Sequence, residues 1–420
     1  MLLRYLFVFL LSVSVSAYAQ ESESDLSLTQ LLDKAFNYHP SIKSNKVLLS
    51  SAEKGLESAK WQYFPTPSVS VSRIDASKDD PSYPGDEKVV KLGFNQVLWA
   101  GGRIDAGLEK AQAQFNIRQF SVLIAKRELA TKVIGSYSVW YSSYLKRKAF
   151  SASKTEHESL QKRIERRIGQ GLSSGSDLSL VNSRLLQVSA NLNSAITQHQ
   201  SALLQLEELV GESLDEVLLV KAVVDDYAVS GDKAVLLKQA LKIDPNLKNL
   251  LEKVKEANST YKEVRSNLSP VLNLRFERQW GNHTTANADT ENRVFLDLSS
   301  SFGAGLSVLS NMQSAKLEKH SILLDFETQK NTITQQFESD WIAYQSLSKQ
   351  KKLLNDALVA AQKIQQSWYR QFLAGRKQWQ DVMNSIREVA QLESQIADAI
   401  AESLLISWRL AVRIKGVNAI

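Results

Sequence analysis

The stretch "LLDKAFNYHPSI" occupies residues 31–42, and a faint copy of it, "LLKQALKIDPNL", occupies residues 236–247. The matched positions share a spacing of 205 residues and pair Leu31, Leu32, Ala35 and Pro40 with Leu236, Leu237, Ala240 and Pro245. After one deleted residue the spacing becomes 204 and aligns Leu92, Gly101, Gly171 and Asp177 with Leu296, Gly305, Gly375 and Asp381. Because prolines, helix caps and glycines keep one register, we interpret the chain as two copies of one unit.

The repeat predicts the domain organisation. The copies span residues 20–210 and 232–413, with a connecting segment at 211–231 and a short tail at 414–420. Proline is absent from residues 85–244 and 271–420. Because proline is excluded from helix interiors, these stretches predict very long helices.

The N-terminus has the features of a cleaved signal peptide. Arg4 precedes the short apolar run "YLFVFLLSVSVS", and "AYA" at 17–19 is a small-residue cleavage site. We expect residues 1–19 to be removed, with cleavage near Ala19, and the protein to be exported. The chain contains no cysteine, which excludes disulfides and a lipid on an N-terminal cysteine. Its net charge of +6 is spread along the predicted helices and does not indicate nucleic-acid binding.

Each copy reads helix, strand, strand, long helix, turn, long helix. Period-two alternation predicts strands at 68–77, 88–98, 271–280 and 293–302. These strands have one apolar and one polar face, and about ten residues is the length that crosses a bilayer when tilted. The alternation alone fits a soluble hairpin with one buried face equally well.

The predicted helices are too long for a compact domain. A helix from Arg103 to about residue 168 would extend roughly 100 Å at 1.5 Å per residue. After it, apolar residues continue with the spacing of a coiled-coil seam from Leu178 to Leu209. We therefore expect antiparallel helical hairpins, with tips near 169–177 and 373–381.

Four strands cannot close a barrel, because the smallest bacterial outer-membrane barrels have about eight. An open sheet in lipid would leave unpaired backbone groups at its edges. If the strands lie in a membrane, several chains must share one barrel. The predicted fold class is therefore mainly α with a membrane β-barrel and long coiled-coil hairpins that form an α-barrel.

The chain resembles the TolC family of outer-membrane efflux proteins, and its overall wording is most similar to the type I secretion, agglutination-protein branch. The resemblance rests on "LTQLLDKAFNYHPSI" at 28–42, "VLWAGGR" at 97–103, and the tips "RIGQGLSSGSDL" at 167–178 and "QFLAGRKQWQDV" at 371–382. It implies a homotrimer with a 12-stranded barrel in the outer membrane of a Gram-negative bacterium and an α-barrel that crosses the periplasm. It also implies an inner-membrane transporter, of ABC or RND type, and a periplasmic adaptor as partners. In one departure, Gly101 and Gly102 become Gly305 and Leu306 in the second copy.

No catalytic, cofactor or metal site is expected. The five histidines are scattered without metal-ligand spacing, and His199, on the coiled-coil seam, is expected to be structural. We therefore do not expect an enzyme, and no cofactor is predicted.

The hairpin tips are the candidate functional site. By position in the family, Asp381 would belong to an acidic ring at the periplasmic entrance, which selects cations, and Asn384 stands where a second acid is common. Asp177 of the first hairpin could link to Lys377 or Arg376, or pack near Phe372. Alternatively, Asp177 and Asp381 only cap helices. Gly171 and Gly375 are expected to form the turns and to face the adaptor.

The predicted function is an export duct for type I secretion of a large protein such as an adhesin. The alternative in the same class is the outer-membrane component of multidrug efflux. The alternative in another class is a periplasmic coiled-coil adaptor or soluble scaffold, which would need no lipid-facing strands.

Overall fold

The computed structural model describes residues 27–76, 80–221, 227–285 and 289–419. The predicted signal peptide lies outside the described residues. Within them, no helix is both long and apolar enough to cross a membrane.

The helices and strands follow the internal repeat. The first copy contains α1 (Leu28–Tyr38), α2 (Pro40–Trp61), β1 (Thr66–Arg73), β2 (Lys88–Trp99), α3 (Arg103–Gly169) and α4 (Gly175–Val210). A short helix, α5 (Glu216–Lys221), lies in the connection. The second copy contains α6 (Lys233–Ile243), α7 (Pro245–Ser266), β3 (Val271–Trp280), β4 (Glu291–Ser299), α8 (Val308–Leu373) and α9 (Trp379–Lys415). Helices α3 and α8 have 67 and 66 residues, so each extends about 100 Å.

The duplicated opening stretch encodes a break between two helices. Pro40 and Pro245 are the first residues of α2 and α7, where their missing N–H groups cost nothing. The residue before each proline caps the helix: His39 accepts from Ser41, and Asp244 accepts from the two N–H groups that follow Pro245. Both copies thus form an 11-residue helix followed by a 22-residue helix.

The four strands form one antiparallel sheet in the order β1-β2-β3-β4. The register places Val69 opposite Leu92 and Leu272 opposite Leu298, so apolar side chains share one face. That face is uncovered in the single chain, where Val69 and Leu298 are 71% and 68% exposed. Strands β1 and β4 are the two edges, and neither has a second partner within the described residues.

Only the third strand keeps both predicted boundaries; the second ends one residue later, at Trp99, and the first and fourth differ at both ends. The first strand covers Thr66–Arg73 rather than 68–77, and its ladder ends where Arg73 meets Lys88. Strand β4 ends at Ser299, although the alternation continues to Phe302. Residues 300–302 lack a ladder partner in one chain because β3 begins at Val271, which pairs with Ser299.

Side chains from both copies hold the hairpins together above the tips. The largest apolar core contains the buried Trp140 and Tyr137 of α3 and residues of α1, α4 and α9. His199 is structural, as predicted: it is 2% exposed, and its Nε2 lies 2.9 Å from Glu216 of α5. Burial alone would raise the pKa of Glu216, but His199 and Arg147 lower it. This network fastens the connection to the first hairpin.

The second copy replaces a glycine by leucine without changing the turn. Gly101 and Gly102 have positive φ angles of 59° and 84°, and their counterparts Gly305 and Leu306 have 59° and 61°. Leu306 therefore adopts the left-handed conformation that glycine tolerates and other residues disfavour. The missing glycine does not remove the turn, but it leaves a strained residue.

Candidate functional site at the hairpin tips

Both hairpin tips are built by the same helix-ending turn. Gly171 and Gly375 each have a φ of 72°. In the first turn the N–H of Leu172 donates to the carbonyl of Arg167, and in the second Arg376 donates to Gln371, each at 2.8 Å. This is the Schellman arrangement, which needs a left-handed residue. A Cβ at either glycine would meet nothing within 4 Å, so the backbone angle alone demands glycine.

An apolar cluster joins the two tips. Phe372 and Trp379 of the second hairpin are buried, and they cluster with Leu160, Ile164 and Val181 of the first. Phe372 is thus a core residue between hairpins. It is not exposed as a pore-lining side chain would be, and it is 7% accessible in one chain.

Asp177 caps its own helix. Its carboxylate accepts from the backbone N–H of Ser174 at 3.0 Å, and the Ser174 hydroxyl accepts from the N–H of Asp177 at 3.4 Å. This reciprocal capping box satisfies two of the free N–H groups at the start of α4. The capping alternative therefore describes Asp177 in the single chain.

Asp381 pairs within its own hairpin. Its carboxylate lies 3.2 Å from Lys377 Nζ, which also lies 4.4 Å from the ring centre of Trp368. Within the described part of the chain no ion pair joins Asp177 to Lys377, so the expected link between hairpins is not the one formed. Arg376 and Asn384 are exposed nearby.

The tips hold the net positive charge of the chain. Residues 160–187 and 363–387 contain ten basic and three acidic side chains, whereas the whole chain has a net charge of +6. The basic residues are Lys162, Arg163, Arg166, Arg167, Arg184, Lys363, Arg370, Arg376, Lys377 and Arg387. Basic residues also occur along the rest of the helices, as expected, but there acidic residues balance them. The sequence could have revealed this concentration. The duplicated glycines locate both tips, and the charged residues on either side of each glycine can then be counted.

His157 and Arg184, which the sequence pattern did not single out, lie just above the tips. His157 of α3 is 1% exposed, and its Nδ1 lies 2.8 Å from the carbonyl oxygen of Ser153. Burial lowers the pKa of His157, and the charge of Arg184 on α4 lowers it further. Within the described residues no group of three or more potential metal ligands is present.

At the other end of the molecule, the polar face of the sheet carries a charge cluster. Arg275 lies 3.6 Å from Glu277 and 3.4 Å from Asp297, and Lys91 lies 3.6 Å from Glu277. Arg275 also lies over the ring of Phe295, 4.1 Å from its centre. One face of the sheet is therefore charged and internally paired, while the opposite face is mainly apolar and includes Arg278, which lies over the ring of Trp280.

This combination of a sheet, two long hairpins and an internal repeat matches known proteins. Residues 31–212 match the family model described as outer membrane efflux protein. The match covers less than half of the chain, and over residues 31–212 the chain is similar to that family. No curated protein sequence matches the chain at a significant level.

Solved structures extend the likeness to nearly the whole chain. The outer-membrane channel OprN is 16% identical, with a TM-score of 0.80 over 94% of this chain and 91% of that one. VceC from Vibrio cholerae is 12% identical, with a TM-score of 0.78 over 93% and 96%. CmeC from Campylobacter jejuni is 15% identical, with a TM-score of 0.77 over 93% and 86%. The predicted resemblance and the fold of an outer-membrane channel are confirmed. The expectation of a non-enzyme agrees with these matches, which are described as channels or outer membrane proteins.

Proposed function

We propose that three copies of this chain form an outer-membrane exit channel, with a shared 12-stranded barrel and an α-barrel that reaches into the periplasm. The observation that carries the proposal is the four-stranded sheet with two unpaired edges, placed at one end of hairpins about 100 Å long.

The exposed face of the sheet supports a lipid environment. On the two edge strands Val69, Val71, Val294, Leu296 and Leu298 are 61–71% exposed. Buried in hydrocarbon, these side chains would lose contact with water, but the edge N–H and C=O groups must then be paired. Only a strand from another copy supplies that pairing without a further chain type. The paired charges around Arg275 would line the water-filled interior, as in bacterial barrels.

The tips would form the periplasmic entrance. In this proposal Asp381 and Asn384 lie at the constriction, together with the neighbouring Arg376. Because Lys377 pairs with Asp381, the ring would consist of ion pairs rather than bare carboxylates. Asp177 and Phe372 would act indirectly, by fixing the start of α4 and by holding the hairpins together.

The partners would be an inner-membrane transporter, of ABC or RND type, and a periplasmic adaptor that contacts the turns at Gly171 and Gly375. The basic tips favour an adaptor surface that is acidic, with an association that weakens as salt rises. The energy for transport would come from the transporter, because the sequence contains no P-loop.

The cargo proposal is a large protein such as an adhesin, exported by type I secretion. It rests on the similarity of the overall wording of the chain to that branch of the family. Deleting the gene should abolish secretion of a large protein into the medium. If the deletion instead leaves secretion intact and sensitises cells to several drugs, the chain serves multidrug efflux.

Membrane fractionation and electrophysiology test the channel itself. We expect the protein in outer membranes as a trimer that dissociates on heating, and we expect it to form conducting pores in planar bilayers. Quantitative recovery as a monomer in the soluble periplasm would refute the channel and favour the scaffold alternative.

A further inference from the structure

A cleft of about 410 Å³ lies between the hairpins, a short distance above the tips. Its walls come from α3 and α4 of the first hairpin and α9 of the second. This volume lies within the range of small-molecule sites, roughly 300–1,000 Å³. The cleft is formed by one chain, so it does not require the neighbouring subunits.

The charged groups that line the cleft are all basic. They are Lys146, Arg184 and Arg387, and the buried His157 lies beside them. None of the lining residues, all of which are in the described part of the chain, carries a carboxylate. Lys146 is compensated by Asp398 at 2.6 Å, which lies outside the lining.

The two guanidinium groups of the cleft lack a carboxylate partner. The structure shows no ion pair to Arg184 or Arg387 among the described residues. Arg184 donates from Nη1 to Gln187 at 3.1 Å, and its buried Nε has no hydrogen-bond partner. Because a buried, unbonded donor is costly, a ligand that accepts from it would be favoured.

The rest of the lining suits an organic anion. Six amide side chains and three serines offer uncharged donors. Phe150, Val188 and Met383 supply an apolar part, and the last two are buried. Few convergent polar groups beside an apolar wall are typical of small-molecule sites.

A second cleft shows that acidic residues are kept on another side of α9. Glu156 and Glu393 line a cleft between α3, α8 and α9, and no lysine or arginine lines it. The two clefts are neighbours, because Ser153 and Ala390 line both of them. On α9, however, Arg387 lines only the basic cleft and Glu393 only the second cleft, and at 100° per residue these two residues lie about 120° apart around the helix. Desolvation raises the pKa of Glu393, and the charge of Lys148 opposes this shift.

We propose that the basic cleft binds a small organic anion, such as an aromatic carboxylate, through Arg184 and Arg387. The ligand would contact α3 and α4 together with α9, and so would bridge the two hairpins beside Asn384, which also lines the cleft. This binding site goes beyond the proposed export function and rests on it only for the trimer used in the test, whose formation is checked separately by heat dissociation.

The test is calorimetric titration of the purified full-length trimer with 2-naphthoate, using the uncharged 2-naphthamide as the matched ligand. We expect saturable binding of the carboxylate only. Arg184→Gln and Arg387→Gln should each weaken it about tenfold, since each removes a charge-assisted hydrogen bond. The matched controls Arg166→Gln and Arg370→Gln change exposed tip arginines outside the cleft and should leave binding unchanged.

The apolar wall gives a second readout. Phe150→Ala should weaken the binding of 2-naphthoate, because it removes an aromatic side chain from the lining. Heat dissociation of the trimer shows whether each variant folds. Partition of 2-naphthoate into detergent micelles is the same for all variants, so it does not account for a difference between them. Equal binding of the amide, no saturation at millimolar ligand, or equal loss in the control variants would overturn the site.

Discussion

Replacing Val71 and Leu298 by cysteine should link neighbouring subunits through a disulfide. The expectation follows from the internal repeat, which can be checked within one chain. Val69 faces Leu92 in the first hairpin. The shifts of 205 and 204 residues carry this pair onto Leu274 and Leu296, which face each other in the second hairpin.

The pairing of β2 with β3, which joins the two copies, then predicts how β4 pairs with β1 of the next subunit. Phe94 of β2 faces Phe276 of β3. Moving Phe94 forward by 204 gives Leu298 of β4, and moving Phe276 back by 205 gives Val71 of β1. In a closed barrel, Leu298 of one subunit therefore lies opposite Val71 of the next. The pairing keeps both apolar side chains on the lipid face, as a barrel requires.

The distance between the two Cβ atoms decides which pair of cysteines can form a disulfide. Directly opposed residues have Cβ atoms about 4.5–5.5 Å apart, whereas residues two positions off lie about 7–8 Å apart. A disulfide needs Cβ atoms about 3.5–4.5 Å apart, so only the opposed pair is within easy reach. The chain contains no cysteine, so no other disulfide competes.

The assay is oxidation in outer membranes followed by denaturing electrophoresis. The double variant should form covalent dimers and trimers, and each single variant should stay monomeric. The matched control combines Val71→Cys with Leu296→Cys, which shifts the pair by two residues. Faster disulfide formation in the control variant would refute the predicted register. A trimer that forms no disulfide in either double variant would refute the pairing of β1 with β4 but not the proposed channel.

Three further predictions concern strain and charge. Leu306→Gly should stabilise the protein by roughly 0.5–1 kcal/mol, seen as a higher temperature of trimer dissociation, because it relieves a left-handed leucine; no change would show that φ costs nothing there. Asp381→Asn should weaken block of single-channel current by divalent cations, and Lys377→Gln should strengthen it, because each leaves one charge of an ion pair uncompensated; equal currents would remove both residues from the constriction. Gly101→Ala should be more destabilising than Gly305→Ala in the same heating assay. At residue 101 a Cβ would lie 2.4 Å from a side-chain atom of the second copy, whereas at residue 305 it would meet nothing within 4 Å; the reverse order would contradict this packing.

Local signals determined most of the fold. The prediction gave each copy one helix before its strands, whereas the structure has two, because Pro40 and Pro245 begin a second helix. Apolar alternation gave β3 its bounds of Val271–Trp280 without tertiary information. The duplicated glycines located both turns, since a left-handed angle is a local requirement.

The predictions and the structure differ at residues whose role depends on contacts with other parts of the chain. Asp177 has the same sequence context as a gate residue and a cap, and only the hydrogen bonds with Ser174 separate the roles. Lys377 sits four residues before Asp381, a helical spacing that favours an ion pair within one hairpin. The basic cleft escaped notice because its residues come from three helices far apart in sequence.

The end of β4 shows how a single chain limits its own ladder. The alternation predicts a strand to Phe302, yet pairing stops at Ser299, where the partner strand begins. The repeat places residues 300–302 opposite residues 69–67 of the next subunit, which belong to β1. The longer strand of the sequence pattern would therefore fit the proposed barrel, whereas the shorter strand is that of the single chain. The unpaired backbone edge of β1 has the same origin, because in the proposed barrel the strand that would pair with it belongs to another copy.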